Sequence, residues 1–339
     1  MVPSIPTVKF NDGASIPIVI PSQIFLVLLL LRLRFFLRLR FFLRLVLRLM
    51  GFGTGTAWLK GDPSAPPLDR NLVDMIKSAI QQGYRHLDCA EGYNTEEELG
   101  VAIKESGIPR EELFVTTKVI QSIDNVFQAI DTSLKKLQLE YVDLFLVHSP
   151  YYAKDDTDLQ TTWKAMEGIK QSGKAKSIGV SNFTRPHLEA VLKTATIKPA
   201  ANQMEYHAYF QRANNFVSWM QEQDITVMAY FGLIPVTYAK GGPLAEPLDT
   251  IAKSHSVDAS AVLMRWLLNR GIVSVSTSKK TERIQQYFQA LELELTSDEM
   301  DVITEVGKSH HFRVRLPKPY APDWAEYPDE DKWCEDMYY

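Results

Sequence analysis

The sequence predicts an α/β protein built as a closed (β/α)8 barrel. Short apolar runs alternate with helical patterns eight times, the number that closes a parallel barrel. Polar side chains recur at the carboxyl ends of those runs, where such barrels gather their sites. The first run, GFGTGTAW (51–58), lacks GxGxxG spacing with a following helix, which argues against an open doubly wound sheet. The expected architecture is a TIM barrel with an N-terminal β-hairpin and an anomalous Leu/Arg/Phe-rich insertion before the first barrel strand.

Residues 6–19 read as the hairpin, because two short apolar runs flank the turn signal Asn11-Asp12-Gly13. Strands are expected at 51–57, 84–90, 113–119, 141–149, 176–182, 200–206, 225–231 and 272–278. Helical periodicity falls between them at 70–82, 95–106, 122–138, 159–172, 185–195, 212–223, 248–269 with a break, and 280–290. The chain divides into the hairpin (1–19), the insertion (20–50), the barrel (51–315) and a tail (316–339). The tail is acidic, aromatic and proline-rich, and reads either as a cover for the barrel mouth or as a partly unordered extension.

A chain of 339 residues can bury a substantial core, and 23% charged with 45% hydrophobic residues fits a soluble globular protein. A net charge of -4 argues against a general nucleic-acid binder. Only Cys89 and Cys334 occur, offering neither a disulfide scaffold nor a metal cluster and fitting a reducing compartment. No secretory signal is evident at the start, so a cytoplasmic location is expected, with no metal.

The insertion contains FLVLLLLRLRFFLRLRFFLRLVLRLM (25–50). Its uncharged run, Ile24 to Leu31, is eight residues, against about 20 for a membrane span. No stable membrane span is therefore expected. Arg32, Arg34, Arg38, Arg40, Arg44 and Arg48 all fall on even positions, which a strand would gather on one face and a helix would scatter. Nineteen residues exceeds the usual strand of about five or six, and such a free edge would invite aggregation. The repeat LRLRFF at 31–36 and 37–42 suggests a translated nucleotide repeat. Excising 20–50 joins ASIPIV to GFGTGTAW, so the expectation is a retained intron or a gene-model error.

Asp88, Lys118, His148, Asn182, Glu205 and Tyr230 lie at or just past strand ends. Each alone is open to a structural reading: a histidine there is most often a hydrogen-bonded core residue, a lysine often a cap. Their recurrence at one end weakens that reading. A tyrosine hydroxyl of pKa near 10 is a poor acid at neutral pH, but a nearby ammonium stabilises its phenolate. Lys118 can supply that charge to Tyr93, Asp88 can orient Lys118, and His148 can position a carbonyl oxygen. The set suits protonation of a carbonyl oxygen while hydride reaches the carbon.

At these residues the chain closely resembles the aldo-keto reductases. The signature spans GYRHLDCAEGYNTEEELG (83–100), FVTTKV, LFLVHSP, GVSNF (179–183), PAANQMEYH (199–207), VMAYFG (227–232) and STSKKTERI (276–284). The resemblance implies a (β/α)8 reductase that uses a nicotinamide cofactor without a dinucleotide fold. It makes Tyr93 the general acid, Lys118 and Asp88 its tuning pair, and His148 the substrate-orienting residue. Ser181, Asn182 and Gln203 match positions that hold the nicotinamide carboxamide, Tyr230 the residue stacked on its ring, and Thr54 and Gly55 further cofactor contacts. Ser278, Lys279 and Arg283 match the adenosine phosphate site, where a helix start and cations favour phosphate, so NADPH is expected over NADH.

Many members read IPKS where this chain has VSTSKK, with Thr277 in place of the lysine. Lys279 and Lys280 stand ready to compensate. A serine- and threonine-rich version, GFGTGTAW and GGPL (241–244) make the chain most similar to the fungal alpha-keto amide and conjugated polyketone reductase group. Thr95 and Leu233 also depart from the pattern, at positions given no chemistry. The substrate pocket is expected from Trp58, Tyr93, His148, Tyr151, Tyr152 and Phe231, whose aromatic walls favour an apolar small carbonyl compound. The expected activity is NADPH-dependent reduction of aldehydes or ketones by a monomer or weak dimer. Two other readings stay open: a cofactor-binding regulatory or interaction subunit on the same barrel, and a chain inactivated by its insertion.

Overall fold

Eight parallel strands close on themselves in a computed structural model that describes residues 7–9, 15–17, 49–60, 68–212, 215–315 and 332–333. β1 (Thr7–Lys9) and β2 (Ser15–Pro17) pair antiparallel, with Thr7 opposite Pro17. They are the expected hairpin, although its turn lies outside the described residues. The barrel follows as β3 (Met50–Gly53), β4 (His86–Asp88), β5 (Phe114–Val119) and β6 (Val142–Val147). It continues as β7 (Ala175–Ser181), β8 (Ala201–Glu205), β9 (Thr226–Tyr230) and β10 (Val273–Ser276), which pairs with β3 and closes the ring. All eight expected strands form.

The first strand begins one residue earlier than expected. Met50 pairs with Ser274, and the Leu49 carbonyl accepts from the Ser274 amide at 3.1 Å. Leu49 and Met50 thus serve the barrel, while residues 20–48 lie outside the described residues.

The helices are α1 (Arg70–Gln82), α2 (Glu96–Ser106), α3 (Val126–Leu137), α4 (Asp156–Gln171), α5 (Arg185–Leu192) and α6 (Phe216–Glu222). Two helices, α7 (Ala245–Ser254) and α8 (Ala259–Asn269), occupy the interrupted pattern at 248–269. They are followed by α9 (Thr281–Tyr287), α10 (Gln289–Glu292) and α11 (Ser297–Lys308). Local chemistry sets the ends. The Asp69 carboxylate accepts from the Asn71 and Leu72 amides to start α1, and Gly83, at φ 113°, ends it in a conformation that costs other residues. Asp258 caps α8 in the same way, which explains the break before it. Helix α11 lies beyond the expected set; Thr296 and Glu299 form its reciprocal capping box.

Strand parity decides what lies inside. Leu144 and Leu146 of β6 enter the barrel interior with Phe114, Met228, Val273 and Val275, whereas Phe145 and Val147 pack under the helices. The same alternation that sends Phe114 inward sends Lys118 inward four residues on, at the carboxyl end of β5. After α11, β11 (Phe312–Arg313) pairs in parallel with β12 (Lys332–Trp333), so part of the tail returns to the barrel. Among the described residues no helix is long and apolar enough to cross a membrane.

Candidate active site

Lys118 is fully buried, and its three ammonium protons have three acceptors. Nζ donates to Asp88 Oδ1 at 2.6 Å, to the Cys89 carbonyl at 2.8 Å and to the Tyr93 hydroxyl at 3.4 Å. Asp88 comes from β4 and Lys118 from the neighbouring β5. Tyr93 ends a 3-10 turn, Glu91–Tyr93, that follows β4 and stops at Asn94 with φ 55°. Glu91 fastens this turn to the next loop: its carboxylate accepts from the Ile120, Gln121 and Ser122 amides at 2.9, 2.8 and 3.2 Å. It also accepts from the Ser122 hydroxyl at 2.5 Å.

Burial works against the Lys118 ammonium, but Asp88, Tyr93 and Cys89 together more than offset that, so its pKa lies above the ordinary value. Burial likewise raises the Tyr93 hydroxyl. Lys118 pulls Tyr93 the other way without cancelling the rise. Here the structure differs from the sequence expectation: the ammonium sits closer to Asp88 than to Tyr93, so most of its charge is neutralised there. Tyr93 therefore holds its proton. The His148 ring stands edge-on to Tyr93, centroids 5.4 Å apart at 80°. Burial, then the charges of Lys118 and Arg315, keep that imidazole neutral, with its pKa well below the ordinary value.

A cavity of about 1090 Å3 opens at this end of the barrel, with Asp88, Tyr93 and His148 on its wall. Asn182, Gln203, Tyr230 and Phe231 line it as well. Asn182, at φ 61°, donates from Nδ2 to the His148 carbonyl at 3.0 Å and to Ser181 Oγ at 3.1 Å; its Oδ1 accepts from the Tyr230 hydroxyl at 2.5 Å. Phe231 too is left-handed, at φ 60°. Such backbone in residues other than glycine is uncommon, and it clusters at functional sites. Ser181 is buried behind Asn182 and gives its hydroxyl proton to the Gln203 carbonyl at 2.8 Å. Gln203 spans the barrel to donate to Asp88 Oδ2 at 2.7 Å.

Gly55 lines the cavity where a Cβ would lie 2.8 Å from the Tyr93 ring, so only glycine leaves that ring its place. Thr54 is buried beside it and bonds Thr95 between hydroxyls at 2.8 Å, outside the cavity wall. Further along, Ser278, Lys279, Lys280 and Arg283 line the same cavity. The buried Ser278 hydroxyl accepts from the Lys280 amide at 3.0 Å, and Lys279 Nζ lies 5.2 Å from the centre of the Trp58 ring.

Three residues assigned to the substrate pocket do not line this cavity. Trp58 packs on the apolar core with Lys279 over its ring, Tyr151 turns edge-on to His187 at 5.8 Å, and Tyr152 packs against the apolar core. In their place the wall has Ile120, Leu233 and Tyr238, together with Arg315. Sequence reasoning did not find Arg315, which sits where periodic signals stop and the tail begins. Glu91 also escaped it, although the residue lies inside the quoted signature.

A protonated phenol beside a buried ammonium and a neutral imidazole, all facing one long cavity, can deliver a proton to a bound oxygen. Fold and site together define a (β/α)8 oxidoreductase. The sequence comparison narrows this: residues 49–308 match the Aldo/keto reductase family, and the chain belongs to it. It is 37% identical over 266 residues to the NAD/NADP-dependent indole-3-acetaldehyde reductase of Schizosaccharomyces pombe, covering 78% of this chain and 93% of that protein. It is 36% identical over 281 residues to the NADPH-dependent alpha-keto amide reductase of Saccharomyces cerevisiae, covering 79% and 90%. An aldo/keto reductase from Brucella melitensis superimposes with a TM-score of 0.70 at 30% identity, over 89% of this chain and all of that one.

Proposed function

We propose that this chain reduces aldehyde or ketone carbonyls to alcohols with NADPH, Tyr93 being the general acid. The observation that carries this reading is the Tyr93 hydroxyl on the cavity wall, 3.4 Å from a lysine paired to Asp88. The cavity suits a nicotinamide dinucleotide: amides and an aromatic ring stand at one end, a serine and three cations at the other. When bound, that cofactor supplies the hydride.

The chain's own residues do the rest. Asn182 and Gln203 present amide groups at the inner end, and Tyr230 presents its ring. Because Asn182, Ser181, Gln203 and Asp88 are bonded to one another, these groups are held in place before any ligand arrives, which limits the entropy lost on positioning. His148, neutral, can donate to or accept from a carbonyl oxygen without introducing charge. Tyr93 then gives its proton to that oxygen, and Lys118 stabilises the phenolate left behind. At the outer end Ser278, Lys279 and Arg283 favour a cofactor carrying the extra adenosine phosphate. Of the two fungal relatives, the one named for NADPH-dependent reduction supports the same choice, while the other is named for both cofactors. Likeness to the alpha-keto amide reductase points to alpha-keto amides or conjugated diketones as substrates.

The test is the purified protein with NADPH or NADH and a panel of aldehydes, keto amides and diketones. Oxidation of NADPH is expected, slower with NADH. A folded, cofactor-bound sample that oxidises neither would overturn the proposal.

A further inference from the structure

We propose that Glu91 is a positioning residue: by tying the turn that carries Tyr93 to the end of β5, it sets where the phenol stands relative to Lys118 and His148. This rests on the reductase reading above and adds to it a residue that does not itself touch the reacting atoms.

The short run 118–122 reaches every part of the proposed acid site. Lys118 Nζ donates to the Tyr93 hydroxyl at 3.4 Å, and the Val119 carbonyl accepts from the His148 amide at 2.9 Å. The Ile120, Gln121 and Ser122 amides all point at one oxygen of Glu91, at 2.9, 2.8 and 3.2 Å, and the Ser122 hydroxyl takes the other at 2.5 Å. Successive amides converging on one anion form a backbone nest. Half-burial works against the charge of Glu91, but the Ser122 hydroxyl and the three amides outweigh it. Its carboxyl therefore lies below the usual range and is ionised at neutral pH.

The tie closes a circuit. From Glu91 the chain runs through Gly92 to Tyr93, whose hydroxyl meets Lys118, and from Lys118 it runs on to the amides that hold Glu91. Gly92 seats the turn against the same loop, since a Cβ there would lie 3.1 Å from the Ile120 side chain. Bonds within the turn, from the Tyr93 amide to Ala90 and from the Asn94 amide to Glu91, fix its shape and not its place on the barrel. On the far side the Lys60 amide donates to the Tyr93 carbonyl at 3.2 Å and Asn94 Nδ2 to the Lys60 carbonyl at 3.3 Å. Glu91 supplies the matching restraint on the β5 side.

The tolerance is small. At 3.4 Å the Lys118–Tyr93 contact is already long for a hydrogen bond, so a shift of the turn away from β5 by less than about 1 Å ends it. Misplacement on that scale costs about 10^2 in rate, even when its origin is remote from the chemistry.

The experiment reads the rate and the ring separately. Glu91→Ala should lower kcat, counted per NADPH-binding site, by about 30- to 100-fold, with NADPH affinity held within about twofold because the amide and cation ends of the cavity are untouched. Glu91→Gln keeps an oxygen for the three amides and turns its NH2 to the Ser122 hydroxyl, so it should stay within about threefold of the unaltered rate. A merely structural role would reduce the number of binding sites and leave the rate at each one unchanged. The second readout needs no turnover: protein carrying 13C at tyrosine Cζ, with the Tyr93 signal assigned by its loss in Tyr93→Phe. That signal should move or broaden in Glu91→Ala and return in Glu91→Gln. A Tyr93 signal unmoved in Glu91→Ala, or a full rate per site, would overturn the proposal. Failure of the unaltered protein to reduce any carbonyl would remove the reductase reading alone, since the Tyr93 signal still reports whether Glu91 places that ring.

Discussion

Asp88 and Gln203 meet across the centre of the barrel. They belong to β4 and β8, four strands apart in a ring of eight, and Gln203 Nε2 donates to Asp88 Oδ2 at 2.7 Å. The other oxygen of Asp88 is thereby left to Lys118 at 2.6 Å. One carboxylate thus links the residues beside Tyr93 to those expected at the nicotinamide.

Gln203→Leu should remove the one donor that Oδ2 has among the described residues and leave it buried. A loss of about 1–3 kcal/mol in stability is expected from an unsatisfied buried acceptor, together with slower turnover as Asp88 reorients. Denaturant titration and steady-state rates check both. Unchanged stability would show that the bond is geometric only.

The pH dependence of reduction follows from Tyr93. Its pKa lies above the ordinary 10.0, because burial outweighs the pull of Lys118. The acid form therefore persists through the neutral range, and kcat/KM for reduction should fall only on the alkaline side of pH 10. Lys118→Met removes the opposing pull and should push that limb higher while slowing the reaction. A limb near neutrality would assign the acid to another group.

Stability has its own pH dependence. Burial holds His148 and His207 below the ordinary 6.5, and His311 at about 4. Between those depressed values and 6.5 the unfolded chain binds more protons than the folded one, so stability must fall as pH drops through this window. Thermal midpoints should be level above pH 7 and decline from about pH 6.5 towards 4. His311→Asn should flatten part of the decline.

Residues 20–50 are proposed to be foreign to the barrel, and their removal gives a direct prediction. In the excised chain Ile18 and Val19 replace Leu49 and Met50, which are buried at 5% and 0% exposure at the start of β3. Both replacements are apolar and suited to a strand. The shortened protein should fold with an equal or higher thermal midpoint, fewer aggregates and the same catalytic constants. Failure of the shortened chain to fold would make the segment part of the structure.

The barrel was legible because its signal is local. Every expected strand appears, since β-branched runs between capped helices state their own period. Register and reach were not legible. Sequence places Trp58, Tyr151 and Tyr152 near the substrate, but which way an aromatic ring turns depends on packing, and His187 and the core claim the two tyrosines. The pull of Lys118 on Tyr93 was read correctly in direction; its size was not, because burial and the distance to Asp88 exist only in three dimensions. Glu205 was visible as a strand-end acid, yet its partners, the amides of Val314 and Arg315, lie 109 and 110 residues away. Helix α11 could have been found from Thr296-Ser297-Asp298-Glu299, a capping box before a periodic run.

The most direct test of the central claim is Tyr93→Phe. The substitution removes one oxygen from a half-buried ring and leaves the cavity wall otherwise intact. General acid catalysis contributes about 10^2 to 10^4 in rate, so turnover of a good carbonyl substrate should drop by that much while NADPH affinity and the thermal midpoint stay close to those of the unaltered protein. A Tyr93→Phe protein that reduces the same substrate at the full rate would contradict the assignment of Tyr93 as the acid.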